Sequence, residues 1–252
     1  MTRHEIRRLG EATRDPAVSL FMLLPLALLH LSGRHGAQLE TFFLVESVLE
    51  WAGSTGITVL WILLAVCFLW AVGRIQALSL PWRGGAVLIL LEGLVWAVVL
   101  GPGLMALTRW LPLAASPLWL GEARTGFAVA SASLGSVHTS LAVAAGAGLY
   151  EELLFRLIGL GAVALALNFL FRHFAAELTS RRLALFLALL FSAFTFAAAH
   201  GLYGNTQAFE PDVLAFRTIA GLSFGLLFIF RGLAVCAYAH FAYDAIYLLL
   251  PS

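Results

Sequence analysis

The chain has no lysine, two cysteines and few charged side chains, 12% of its 252 residues. Each shortage excludes something. Cys67 and Cys236 both lie in apolar runs. They can form neither a disulfide framework nor a Cys-rich metal site, and they read as small buried hydrophobes. Arg nearly balances Asp and Glu, leaving a formal net charge of +1. With no basic face on offer, nucleic acid is not a partner. Soluble domains are about 45–50% apolar and about 25% charged. Here 61% of residues are hydrophobic and the mean hydropathy is +0.93. This is the composition of an integral membrane protein.

What the chain does have is apolar runs long enough to cross a bilayer, which takes about 20 residues. They fall at 16–32, 53–72, 84–108, 136–171, 183–199, 213–230 and 233–250. The first is short, and the fourth is longer than one span needs. The pattern predicts an all-α polytopic transmembrane bundle of about six to eight spanning helices, in a single domain over 1–252. Arg3, Arg7, Arg8 and Arg14 precede the first run. Arg74 and Arg83 flank the turn after the second, and Arg172, Arg181 and Arg182 follow the fourth. The intervening connections hold Glu40, Glu46, Glu50, Glu122, Glu210 and Asp212. By the positive-inside rule the N-terminus is cytoplasmic. The basic N-terminal stretch lacks a small-residue cleavage site after its apolar run, so it reads as a retained signal-anchor helix. Residues 39–51 are too charged to span and carry an apolar stripe at helical spacing. They fit either an interfacial helix or an amphipathic linker. Residues 111–135 mix Pro, Gly and Ser with apolar side chains and read as a loop or re-entrant segment.

Three short polar patterns interrupt the apolar sequence of the C-terminal half: EELLFR at 151–156, FAAAH at 196–200 and HFAYD at 240–244. Ionisable groups in hydrocarbon cost about 2.5–3.5 kcal/mol each on insertion scales, so they mark a functional site by default. In a helix, Glu152 and Arg156 are i,i+4 with the acid first, the favourable order for an ion pair. Glu151 is turned by about 100° onto another face. The geometry therefore assigns Glu152 and Arg156 to structure and leaves Glu151 for chemistry, as a general base on water. Phe196 is placed to pack on His200. His240 and Asp244 share a face, where a carboxylate can fix the orientation of an imidazole. Four other polar residues, His30, Glu92, His138 and Arg217, have no such same-face partner and read as structural. Glu92 and Arg217 could neutralise each other.

The ordered set Glu-Glu-x-x-x-Arg, Phe-x-x-x-His and His-x-x-x-Asn (or a variant) resembles the motifs of the CAAX-processing and bacteriocin-processing intramembrane proteases, which include the type II CAAX prenyl endopeptidases. The resemblance covers roughly 136–250; residues 1–135 share only helical character. It implies a glutamic-type protease cutting a protein or peptide substrate in the membrane. Glu151 and His200 would activate water, while His240 and the residue at 244 would stabilise the oxyanion. Glu152 and Arg156 would hold the site together. No cofactor is implied. The departure is Asp244, where the family usually has Asn. An Asn amide donates a hydrogen bond, whereas an ionised Asp cannot. Either Asp244 carries a proton, or it orients His240 and another donor completes the hole, or activity is altered.

Two other classes fit the same residues. Two His and several carboxylates could bind Zn²⁺, although no HExxH is present. A proton-coupled transporter also uses buried Glu, His and Asp, but no repeat or pair of broken helices is visible. A non-catalytic immunity or binding protein is the remaining alternative. The Arg-only basic composition and compact length point to a bacterial inner-membrane protein. That argues against a prenylated substrate, and leaves a bacteriocin leader or a surface-protein sorting signal.

Overall fold

The computed structural model describes residues 3–33, 40–109, 136–174, 176–203 and 211–249. Among these, all regular structure is helical. In chain order the elements are α1 (Arg3–Ala12), α2 (Pro16–Ser32), α3 (Glu40–Ala77) and α4 (Trp82–Arg109). Then come α5 (Val137–Gly146), the widely wound π1 (Ala147–Ala162), α6 (Val163–Phe171), α7 (Glu177–Tyr203), α8 (Pro211–Arg231) and α9 (Leu233–Leu249). Among the described residues, four segments are long and apolar enough to span: Trp82–Leu104, Val137–Phe171, Glu177–His200 and Val213–Arg231. Pro16–Ser32, Ala65–Ala77 and Leu233–Leu249 are shorter apolar helices. Leu91, Val95, Phe169, Phe186 and Phe194 point outward among many other large apolar side chains. Such a surface suits a helical bundle solvated by lipid.

Local sequence sets the helix ends. Asp15 caps α2, its carboxylate accepting from the Ala17 N–H at 2.8 Å, and Pro16 fills the first helical position. Ser136 caps α5 in the same way, accepting from the Thr139 N–H at 3.2 Å. The apolar stretch at 136–171 is one continuous rod. Its α-helical ends flank the π-wound middle, where the Val163 N–H reaches back to the Ile158 carbonyl. The helix over 40–77 is bent at Gly53, whose φ of 62° and ψ of −162° leave helical space. That φ favours glycine. The bend falls at the boundary between the amphipathic stretch expected over 39–51 and the apolar run after it; Leu39 and the stretch 111–135 lie outside the described residues.

The interior is built on α9, which packs against α2, α4, α5, α8 and π1. Ala234, Val235, Cys236, Ala237 and Ala239 are completely buried there. Small residues let helix backbones come close where no hydrophobic force separates helix from lipid. Gly148 of π1 makes the tightest approach to another backbone: a Cβ there would stand 2.6 Å from the Ala237 carbonyl oxygen and 2.9 Å from the Phe241 nitrogen. Cys67, expected to be buried, is exposed on α3. A small apolar thiol is as compatible with a lipid-facing surface as with a core, and hydropathy alone cannot separate the two.

Candidate active site

Three helices contribute the polar cluster. Glu151, Glu152 and Arg156 come from π1, His200 from the end of α7, and His240 and Asp244 from α9. Glu151, Glu152, Arg156, His240 and Asp244 are buried; His200 is partly open, with a side chain 19% exposed. The two carboxylate oxygens of Glu151 face different imidazoles. Oε1 is 3.7 Å from His200 Nε2, and Oε2 is 3.7 Å from His240 Nε2. Asp244 Oδ2 lies 3.6 Å from that same His240 nitrogen.

The outer nitrogens of both rings are engaged. His200 Nδ1 donates to the Phe196 carbonyl at 2.8 Å, and His240 Nδ1 donates to Glu152 Oε1 at 2.6 Å. A carbonyl and a carboxylate accept only, so each ring has its proton at Nδ1 and turns Nε2 toward Glu151. The tautomers follow from these partners. Aromatic faces fix the ring planes. Phe196 lies 4.7 Å from the His200 ring centroid, as its i,i+4 spacing predicted, and Phe224 stacks on His240 at 4.7 Å.

The expected Glu152–Arg156 pair forms at 3.0 Å with both side chains completely buried. Arg156 also lies over two rings, 4.5 Å from Phe196 and 5.5 Å from Phe224. Such contacts strengthen when desolvated. Glu152 carries more than the ion pair. It holds His240, and its Oε2 accepts from the Cys236 thiol at 3.0 Å. Helical spacing placed Glu151 and Glu152 on separate faces. Both nevertheless reach the same histidine, from opposite sides of its ring: Glu152 at Nδ1 and Glu151 at Nε2. Phe224 carried no sequence signal. Cys236 carried one, since it stands one turn before His240 on the same face.

The polar residues outside the cluster are structural in their contacts. His30 donates from Nδ1 to the Ala142 carbonyl at 3.0 Å and meets the Tyr150 ring edge-on. His138 Nε2 is 3.0 Å from the Ser32 hydroxyl. Glu92 does not pair with Arg217. Its carboxylate takes Arg231, with Nε to Oε2 at 2.8 Å. The two residues belong to neighbouring helices, a tertiary pairing that position along the chain does not reveal.

Residues 132–246 match the family model of the Rce1-like type II CAAX prenyl endopeptidases. This segment is similar to an Rce1-like domain. The match takes in all three motifs and the whole cluster, from π1 to Asp244. No curated protein and no solved structure matches the chain. Among the described residues, no group of three or more His, Cys, Asp or Glu side chains is arranged to hold a metal ion.

Proposed function

We propose that the protein is an intramembrane endopeptidase of glutamic type. It hydrolyses a peptide bond of a membrane-associated protein with a water activated by Glu151 and His200. The observation that carries this reading is the pair of 3.7 Å separations from one carboxylate to two imidazole Nε2 atoms on different helices. These are too long for direct hydrogen bonds, and suit a water about 2.8 Å from each partner. The match to the Rce1-like family model supports the same activity.

In this mechanism the water oxygen attacks the scissile carbonyl carbon while Glu151 takes its proton. The carbonyl π electrons move to oxygen, and the resulting oxyanion meets donors from the His240 side. Collapse of the intermediate breaks the C–N bond. The proton held by Glu151 passes to the leaving nitrogen, giving a free carboxylate and an amine. His200 holds the water, its ring locked by Phe196. To donate from Nε2 while Nδ1 serves Glu152, His240 must carry both protons. Glu152 is placed to balance that charge at 2.6 Å.

The test is cleavage by purified protein in bilayers. Glu151→Gln and His200→Ala should each lower turnover by about 10²–10⁴, the range for lost acid–base catalysis. Both proteins should still insert and melt as wild type does. Turnover retained in Glu151→Gln would remove the base from this assignment. Activity lost to a chelator and restored by Zn²⁺ would move the reaction to the metal-dependent class.

A further inference from the structure

The candidate site stands near one end of the bundle, and the basic turns gather at the other. Arg8 Nη2 donates to the Ser79 carbonyl at 3.0 Å, joining α1 to the α3–α4 turn. Arg74 pairs with Asp15 at 3.1 Å, joining that turn to the start of α2. Gly232, between α8 and α9, packs on the backbone of Thr13 and Arg14. Helices α7 and α8 run antiparallel, with Gly221 against Ala193 and Gly225 against Leu189. The turn bearing Arg172, Arg181 and Arg182 therefore lies at the same end as Arg231.

Four helices measure the depth of the site from that end. Tyr150, next to Glu151, touches His30 of α2; Pro16 to His30 is about 21 Å of helix at ~1.5 Å per residue. Arg182 to His200 is about 27 Å on the same scale. Tyr243, next to Asp244, lies against Gly101 of α4, about 28 Å from Trp82. Gly232 to Asp244 is about 18 Å. The hydrocarbon core is about 30 Å thick. The cluster thus lies in the half of the bilayer away from the basic turns. Its most open member, His200, is within a turn of the far end of α7. In the sequence, the stretches that link these helices on the other side hold Glu40, Glu46, Glu50, Glu122, Glu210 and Asp212 against Arg34, Arg109 and Arg124. Positive-inside bias puts the basic end in the cytosol.

From this we infer that the site serves the non-cytosolic half of the bilayer. It takes an extended, membrane-proximal segment of a membrane-anchored protein presented from the face opposite the basic turns, and not a tail offered from the cytosol. The inference rests on the peptidase reading above and adds the side from which substrate arrives.

Two measurements separate the two ideas. In full-length protein carrying Cys67→Ala, Ser136→Cys and Phe174→Cys mark opposite ends at exposed positions. A membrane-impermeant maleimide applied to intact cells should label Ser136→Cys. Phe174→Cys should label only after permeabilisation. The reverse pattern, or equal labelling of both before permeabilisation, overturns the inference. Independently, new protein N-termini are compared between cells carrying wild type and Glu151→Gln. Termini lost with Glu151→Gln should map to non-cytosolic segments next to membrane anchors. Termini in cytosolic tails overturn the assigned side while leaving a peptidase. The absence of any Glu151-dependent terminus sinks the peptidase reading itself, and the labelling then still decides the orientation.

Discussion

Asp244 is the residue at which the chemistry turns. It sits 3.6 Å from His240 Nε2, on the ring nitrogen opposite the one Glu152 holds. The orienting role considered for it from the sequence is therefore available to Glu152, whose bond to the ring is a full ångström shorter. That leaves position 244 for the proposed role of donor to the oxyanion, which Asp244 can fill only with its carboxyl protonated. Asp244→Asn, which supplies an amide donor without a charge, should keep turnover within about threefold, whereas Asp244→Ala should cost about 10²–10³ in kcat, the value of one oxyanion donor. Steady-state kinetics of the two variants decides it; an Asn variant as inactive as the Ala variant shows that the carboxylate itself is needed. Glu152 and Arg156 make a different prediction. Removing one member of a buried ion pair strands the other, a loss of about 3–5 kcal/mol. Glu152→Ala and Arg156→Ala should each lower the melting temperature in detergent by many degrees, and Glu152→Ala should also release His240. Wild-type melting of both would count against the pair. The residues of the cluster were legible as a set because ionisable groups stand out against apolar sequence. Their pairing was only half legible. The i,i+4 contacts Glu152–Arg156 and Phe196–His200 follow from helical spacing, but the Glu152–His240, Cys236–Glu152 and Phe224–His240 contacts join residues that spacing cannot relate.

At the scale of the element, π1 decides how the cluster assembles. Adjacent glutamates stay well apart in angle whether the winding is α or π; the backbone approach at Gly148 brings π1 close enough to α9 for Glu151 and Glu152 to meet His240 at its two ring nitrogens. Windings of this kind recur at functional sites. Hydropathy located the 35-residue apolar stretch and could not reveal its winding, because α and π segments present the same apolar surface to lipid. The same limit applies to the Glu92 pairing, where apolar spans gave no order of neighbours and Arg231 proved to be the partner. Gly148 provides the test. A valine there would force its branched side chain into the Ala237 carbonyl and the Phe241 backbone, pushing π1 off α9. A shift of about 1 Å between catalytic groups can cost about 10²-fold in rate. Gly148→Val should therefore lose cleavage by roughly that factor while remaining helical by circular dichroism. Full activity would mean that the close approach is not what sets the Glu151–His240 distance.

Over the whole molecule, two charge distributions are superimposed on one apolar bundle. Inside, the charges are few, compensated and clustered; outside, most arginines of the described helices gather at one end. Helical character was readable from the sequence, because lipid-facing helices must be apolar along their full length; the number of spans was not, since six to eight were expected and, among the described residues, four segments are long and apolar enough to cross while three apolar helices are shorter. The short terminal helices were harder, since 17 residues such as Pro16–Ser32 can be either a span or a core element. What sorting by end accomplishes is orientation. Because the first helix usually dominates topology, Arg7, Arg8 and Arg14 have leverage well beyond their contacts. Arg7→Glu, Arg8→Glu and Arg14→Glu together should shift a C-terminal reporter from one side of the membrane to a mixture of both. Glu151-dependent cleavage should fall in proportion to the inverted fraction, since an inverted molecule presents its site to the wrong leaflet. The folding of each molecule should change little, because the side-chain contacts at stake among the described residues, Arg7 with Glu11 and Arg8 with the Ser79 carbonyl, are exposed ones that typically contribute about 1 kcal/mol or less. If the reporter moves and cleavage does not, the site is reachable from either side, and the depth of Glu151 in the bundle, rather than its side, governs access.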